Sequence, residues 1–325
     1  MAALVLLLAI PAIIAQQIWL PGSAGVFVLG ALPSSIAVVV VGVKRASQIA
    51  IAAAIGGALA ATFVGNAWVG ALLIATLAGF GGYSARYGNE SPILLVPVVI
   101  SFIVISPPAL VDRHGTALTD ARYALVVGLA LLVGGLWVAL VGYFLARDLE
   151  RAKDDPVERR VALGYGIALA LSTGIATFVA AEFFPGSPGA WVVLTILLVM
   201  KPRTTDMWRT ARHRVGGTLV GALVAAVLVV GMNAIGIPLA NWTLVLGAIF
   251  LVLALSVLRV RPYWQFVTFL TPAIILLKSS GDDTLQLDGL RVGMTLIGTL
   301  VTLAFAVGVR EVNDRLLGTP RATAS

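Results

Sequence analysis

Nearly the whole chain consists of long apolar runs, which are separated by short segments that contain charges, glycine or proline. A helix needs roughly 20 mostly apolar residues to cross about 30 Å of hydrocarbon, and most of these runs approach that length. The predicted membrane spans are 2–19, 24–43, 47–65, 67–82, 91–111, 122–146, 161–181, 189–201, 214–232, 241–258, 262–278 and 289–309. The pattern therefore predicts an all-α membrane protein with about twelve transmembrane helices.

The composition excludes a water-soluble enzyme. Of the 325 residues, 59% are hydrophobic and 11% are charged, whereas a soluble protein carries charges at about a quarter of its positions. Cysteine is absent and only two histidines remain, so no metal, redox centre or other cofactor is expected. The acidic residues show no spacing typical of paired catalytic carboxylates, so no enzymatic activity is predicted.

The basic residues predict the orientation. The chain has 22 Lys and Arg against 15 Asp and Glu, a net charge of +7, and the basic residues alternate in density between successive loops. The predicted inner set is Lys44, Arg45, Arg86, Arg147, Arg151, Lys153, Arg159, Arg160, Lys201, Arg203, Arg209, Arg212, Arg214, Arg259, Arg261, Arg310, Arg315 and Arg321, and the outer set is Arg113, Arg122, Lys278 and Arg291. The positive-inside rule then predicts a multi-pass protein of the inner (cytoplasmic) membrane with both termini cytoplasmic. Since topology explains the charge, nucleic-acid binding is not expected.

The two halves of the chain resemble each other at an offset of 165 residues. At this offset the aligned pairs include Ala46 with Ala211, Gly56 with Gly221, Pro97 with Pro262, Pro107 with Pro272 and Gly128 with Gly293. Six spans per repeat give both halves the same orientation, which is one of the two symmetric plans of transporters. The predicted organisation is a first six-helix repeat at 1–146, a charged cytoplasmic linker at 147–160, a second parallel repeat at 161–310 and a cytoplasmic tail at 311–325.

Two arginines lie at near-equivalent places of the repeats, on the side where basic residues are rare. Arg122 begins the sixth span and Arg291 lies just inside the twelfth. A planar guanidinium can bind both oxygens of a carboxylate, which favours a pair of outer cations for an anionic solute. The alternative is that each arginine snorkels beside a nearby acid, Asp120 or Asp288.

Two proline pairs mark the fifth and eleventh spans. Proline removes a backbone donor and frees a carbonyl, which a membrane helix tolerates where neighbours or water satisfy that group. The prolines are Pro97, Pro107, Pro262 and Pro272, and the nearby polar residues that would line a solute path are Ser101, Ser106, Gln265, Thr268 and Thr271. The alternative is that these prolines are structural kinks only.

Two further patterns are predicted to act at the membrane surface. The basic segment from Lys201 to Arg214 either fixes topology, binds lipid headgroups or guides an anion toward the pore. Several tryptophans look like interfacial anchors, namely Trp19, Trp68, Trp191, Trp208 and Trp242.

The eighth and ninth spans carry a recognisable order of residues. Trp191 is followed by Lys201 and Pro202 and then by Arg214, Gly217, Thr218 and Gly221, in the order Arg-x-x-Gly-Thr-x-x-Gly. This order resembles the fusaric acid resistance-like (FUSC) integral membrane transporters over about residues 189–309. The first half fits through the repeat, but Ile49 stands where Arg214 does.

The resemblance implies export of an aromatic or other carboxylate anion, because the family includes bacterial aromatic acid exporters and is similar to plant malate transporters. It also implies proton coupling, for which Glu182 is the nearest candidate carrier. A passive anion channel and a non-transporting membrane scaffold remain alternatives. The expected partners are a small organic anion and the lipid bilayer, and formation of a homo-oligomer is left open.

Overall fold

The structure is a computed structural model. It describes residues 23–112, 115–145, 155–235, 262–278 and 292–305, together with a few single positions between 246 and 307. The predicted span at 2–19, Arg291, Trp19, Trp242 and the tail at 311–325 lie outside the described residues.

The first half of the chain forms α1 (Ala24–Val40), α2 (Val43–Thr62), α3 (Ala67–Tyr83), the single turn α4 (Glu90–Ile93), α5 (Leu95–Ile105) and α6 (Asp120–Leu145), with a 3₁₀ turn at Ser84–Tyr87. The second half forms α7 (Arg159–Phe183), α8 (Ala190–Val199), α9 (Thr204–Ala234), α10 (Tyr263–Lys278) and α11 (Val292–Phe305). In the part of the chain that the structure describes, the only β-type pairing is an isolated bridge between Val111 and Ala117. The prediction of an all-α protein is therefore confirmed.

Several helices are long and apolar enough to cross a membrane. Among the described residues, the four that qualify by length and composition are Ala67–Tyr87, Asp120–Phe144, Arg159–Phe183 and Asp206–Met232. Large apolar side chains are also exposed on the helix surfaces, including Trp68 at 72% and Phe80 at 71%. Apolar exposure on this scale suits contact with lipid tails rather than with water. The chain is a multi-pass membrane protein, while the count of twelve spans stays a prediction.

Close helix contacts depend on glycine. Gly82 of α3 faces Gly166 of α7, and a Cβ at Gly82 would lie 2.7 Å from the Gly166 Cα. Gly134 of α6 packs directly on the Phe27 carbonyl of α1, where a side chain would overlap the backbone. Small residues permit such approach in lipid, where helices associate by packing rather than by a hydrophobic drive.

The ninth span begins earlier than predicted. The sequence placed its start at residue 214 and a loop before it, but α9 already begins at Thr204. In this added stretch Met207 and Ala211 are buried, one turn apart on one face, while Arg209 and Arg212 are exposed. The stretch is therefore an amphipathic extension whose apolar face packs against the end of α8.

Several described basic residues lie at one end of the helix bundle, which we call the basic end; Arg86 and Arg159, for example, both lie near Tyr83. There the Arg45 Nη1 donates to the Asn89 Oδ1 at 3.1 Å. The Tyr165 hydroxyl donates to the Met200 carbonyl at 3.0 Å, which ties α7 to the end of α8. At the opposite end, the Ser106 hydroxyl donates to the Ser187 carbonyl at 2.5 Å. Of these three bonds, the one between Ser106 and Ser187 joins the two halves of the chain.

Candidate functional site

The Arg-x-x-Gly-Thr-x-x-Gly order forms one face of α9, and this face packs on α10. Arg214, Gly217 and Gly221 are three and then four residues apart, so they share one side of the helix. A Cβ at Gly217 would lie 2.5 Å from the Trp264 carbonyl oxygen, and one at Gly221 would lie 2.6 Å from the Thr268 carbonyl oxygen. The glycines therefore bring two helix backbones into direct contact.

Arg214 is fully enclosed at this interface. Its side chain is 1% exposed, and it alone is buried among the basic side chains that the structure describes. The Nη1 donates to the Tyr263 hydroxyl at 3.4 Å, a long hydrogen bond, while the Nε has no hydrogen-bond partner in the described part of the chain. A buried charge costs free energy unless an opposite charge and hydrogen bonds compensate it. The described residues therefore leave this cation with unused donors.

Pro272 interrupts the hydrogen bonding of α10 beside Gly221. Proline has no N–H, so the Thr268 carbonyl, four residues earlier, receives no helical hydrogen bond from it. Gly221 lies against this carbonyl and against the Thr271 side chain. The Thr271 hydroxyl is fully buried without a hydrogen-bond partner among the described residues. A carbonyl without its usual helical donor and a hydroxyl without a described partner thus lie about two helical turns beyond the Arg214 level.

A second buried hydroxyl lies where α8 meets α11. Thr195 is fully buried, and in the described part of the chain its Oγ1 has no hydrogen-bond partner. Gly298 of α11 faces it, since a Cβ there would lie 2.7 Å from the Thr195 Cβ. By contrast, the buried Thr302 hydroxyl donates to the Gly298 carbonyl of its own helix at 2.8 Å. The second half therefore contains both satisfied and unsatisfied polar groups in its interior.

The polar residues predicted to line a path lie in different settings. Ser101 is fully buried, and its hydroxyl donates to the Val98 carbonyl of its own helix at 2.7 Å. Ser106 lies on the wall of a cavity of about 300 Å³ at the opposite end from the basic residues. Thr268 is 9% exposed and donates to the Trp264 carbonyl at 2.9 Å. Gln265 is half-buried in the first turn of α10.

Only one of the four predicted helix breaks lies in the middle of a helix. Pro272 occupies the interior of α10. Pro97 is the third residue of α5, where a helix tolerates proline because the first N–H groups have no helical acceptor. Pro107 follows the end of α5, and Pro262 immediately precedes α10, so both lie at helix boundaries.

The structure describes only one of the two arginines that are predicted to lie on the outer side. Arg122 is exposed in the first turn of α6. Asp120 lies two residues before it, which is not a same-face spacing, and no ion pair joins them among the ion pairs of the described residues. Arg291 lies outside the described residues, so the pair stays a prediction.

Trp191 corrects the predicted interfacial belt. Its side chain is 7% exposed and meets Phe102 edge to face, with ring centroids 5.2 Å apart. This tryptophan belongs to the core between α5 and α8. Trp68 and Trp208 are exposed, as an interfacial position requires.

Sequence reasoning missed two charged groups that the structure buries. Arg214 fits both the topology pattern and the family pattern, and its shared face with Gly217 and Gly221 is a readable signal of burial. Glu90 directly precedes the predicted span at 91–111 and carries no sequence signal of burial, yet it is 5% exposed at the start of α4. Glu182, the predicted proton carrier, is exposed at the end of α7.

The described residues contain no group of His, Cys, Asp or Glu suited to hold a metal ion. Their chemistry is instead that of a helical membrane protein with one enclosed cation. Residues 175–305 match the family described as fusaric acid resistance protein-like, from within α7 to the end of α11. These residues are therefore similar to a family of membrane transporters, as the sequence predicted. No curated protein and no solved structure matches the chain.

Proposed function

We propose that the protein exports organic carboxylate anions across the cytoplasmic membrane, with Arg214 as the cation that recognises the anionic group. The observation that carries this proposal is the burial of Arg214 without an acidic partner among the described residues. A guanidinium has five donors in a planar fork, and Tyr263 accepts from only one of its nitrogens. A carboxylate would supply both the missing charge and the missing acceptors.

The location of Arg214 also favours a transient anion rather than a permanent partner. The residue is the eleventh of α9, about 15 Å from the start of the helix at the usual rise per residue. Because the Arg214 side chain is buried away from water, the dielectric around it is low and an ion pair there is stronger than at the surface. The free Thr271 hydroxyl and Thr268 carbonyl, about two turns further along, offer the next polar groups on the same helix interface.

The internal repeat predicts one such cation per chain. At the offset of 165 residues, Ile49 takes the place of Arg214. The repeat itself is supported by packing, because Gly134 lies on the Phe27 carbonyl and Gly298 lies against the Val192 carbonyl, which are nearly equivalent pairs. One recognition site shared by two unequal halves would suit a transporter of a small monovalent acid.

The test is flux of labelled aromatic and aliphatic carboxylates in proteoliposomes. We expect Arg214→Gln to lower the flux about ten- to hundredfold, which is the usual worth of a charged hydrogen bond. Arg214→Lys should keep part of the activity, and Arg212→Gln is the matched control because Arg212 is exposed two residues earlier. The Arg214→Gln protein should melt no lower than the parent, since the change removes an uncompensated buried charge.

The same experiment separates the alternatives. A flux that depends steeply on an imposed pH gradient supports the exporter. An ohmic anion current supports a passive channel, and absence of any flux supports a scaffold. Equal fluxes in the parent and in Arg214→Gln at equal incorporation would refute the role of Arg214.

The outer arginines supply a second, separate test. We expect the double Arg122→Gln, Arg291→Gln variant to bind and release the anion less well on the outer side, because two cations would be lost from the outer mouth. The flux should fall most at low ionic strength, where screening is weakest. Unchanged kinetics at low salt would assign Arg122 and Arg291 to snorkelling only.

A further inference from the structure

A groove of about 350 Å³ lies at the basic end of the first half. Its walls come from α2, α3, α4 and the start of α5. Arg45, Gln48 and Asn89 supply its polar lining, while Ile49, Phe80 and Val96 are among its apolar lining residues. No step of the proposed transport mechanism uses this groove.

The polar rim is organised to receive an anion. Arg45 donates through Nη1 to the Asn89 Oδ1 at 3.1 Å, which leaves the Asn89 amide nitrogen and the other guanidinium nitrogens as donors. Lys44 precedes Arg45 and is exposed, but it does not line the groove. Glu90 is buried and is not a lining residue, so the rim itself carries only positive charge.

The apolar part of the groove extends from this rim into the membrane layer. The lining residues Arg45 and Ala52 are seven positions apart on α2, about 10 Å along the helix axis. Ala52 is exposed, and Phe80 on the facing helix is 71% exposed. The groove therefore opens sideways to lipid as well as toward the basic end.

We propose that this groove binds an anionic phospholipid from the leaflet at the basic end. The phosphate lies on Arg45 and the Asn89 amide, and the first part of one acyl chain follows Ile49, Ala52 and Phe80. Charge complementarity at the rim and the lateral opening of the wall both favour a membrane lipid over a solute from water. The proposal does not depend on transport, because lipid binding is measured without flux.

The experiment measures lipid binding to the detergent-purified full chain. Phosphatidylglycerol and phosphatidylcholine are titrated separately, and bound lipid is counted by native mass spectrometry alongside the melting temperature. Arg45→Gln removes the anion-binding donors, and Ala52→Phe fills the groove from a lipid-facing position. Lys44→Gln is the matched control, since it removes a charge that does not line the groove.

We expect one phosphatidylglycerol to bind preferentially and to raise the melting temperature. Arg45→Gln should weaken this binding about tenfold, the usual worth of charge-assisted hydrogen bonds, and Lys44→Gln should weaken it much less. Ala52→Phe should abolish the bound lipid while leaving the unliganded melting temperature unchanged. Equal binding of both lipids, or equal losses in Arg45→Gln and Lys44→Gln, would overturn the proposal. Displacement of the lipid by micromolar decanoate would assign the groove to a free acid instead.

Discussion

Gly216 and Gly217 are neighbours in α9, but a methyl group has room at only one of them. Within the part of the chain that the structure describes, a Cβ at Gly216 would meet nothing within 4 Å. A Cβ at Gly217 would lie 2.5 Å from the Trp264 carbonyl oxygen and 2.8 Å from the Val267 Cβ. The variants Gly216→Ala and Gly217→Ala therefore add the same atom in opposite surroundings.

The size of the effect follows from the distance by which α10 must move away from α9. Ordinary contact begins at 3.4 Å, so relief of the overlap with a backbone oxygen requires roughly 0.9 Å of helix separation. Overpacking of this kind costs about 1–3 kcal/mol, and the gain from replacing helical glycine by alanine offsets up to about 1 kcal/mol. We expect Gly217→Ala to be destabilised by about 1–2 kcal/mol. Gly216→Ala should be neutral or stabilised by up to about 1 kcal/mol.

Thermal unfolding of the two variants in the same detergent measures this difference. The melting temperature of Gly217→Ala should fall by about 2–6 °C, and that of Gly216→Ala should not fall. Carboxylate flux should also drop in Gly217→Ala, because a wider gap between α9 and α10 would alter the surroundings of Arg214. If Gly217→Ala melts at or above the temperature of Gly216→Ala, the tight contact between α9 and α10 does not exist.

Two further substitutions test the core and the opposite end of the bundle. Trp191→Ala should lower the free energy of unfolding by about 3–5 kcal/mol because it removes a buried ring packed on Phe102. Trp208→Ala should lower it little, because Trp208 is exposed. Chemical denaturation of both variants measures the difference. Ser106→Ala should lower the free energy of unfolding by about 1–2 kcal/mol because the Ser187 carbonyl loses its hydrogen-bond donor. Amide hydrogen exchange around residues 184–189 should become faster, and unchanged exchange would contradict the prediction.

The sequence predicted the helices well where an apolar run alone decides their extent. The predicted spans 122–146 and 161–181 differ from α6 and α7 by a few residues at each end. The prediction failed at residues 204–213, because a search for unbroken apolar runs overlooks a helix with one charged face. Met207 and Ala211 carried the missing signal, since they are spaced one turn apart among arginines.

The candidate site was predicted only in part, because burial is a tertiary property. The sequence singled out Arg214, Gly217 and Gly221 as a pattern, but the pattern does not state which helix they face. Their contact with Trp264 and Thr268 joins residues about 50 positions apart in the chain. An arginine beside a basic loop is also indistinguishable, by sequence alone, from one that marks topology.

The packing of α7 on α3 affects which helices would move together. By sequence α7 opens the second half, yet Gly82 and Gly166 hold it against the first half at backbone contact. If the two halves moved relative to each other, α7 would therefore move together with α3 of the first half. The turn at residues 184–189 and α8 would also stay with the first half, because the Gly186 N–H donates to the Ile105 carbonyl at 2.9 Å and Trp191 packs on Phe102. Because α7 of the second half packs on α3 of the first half, neither half made alone would keep all of its packing contacts.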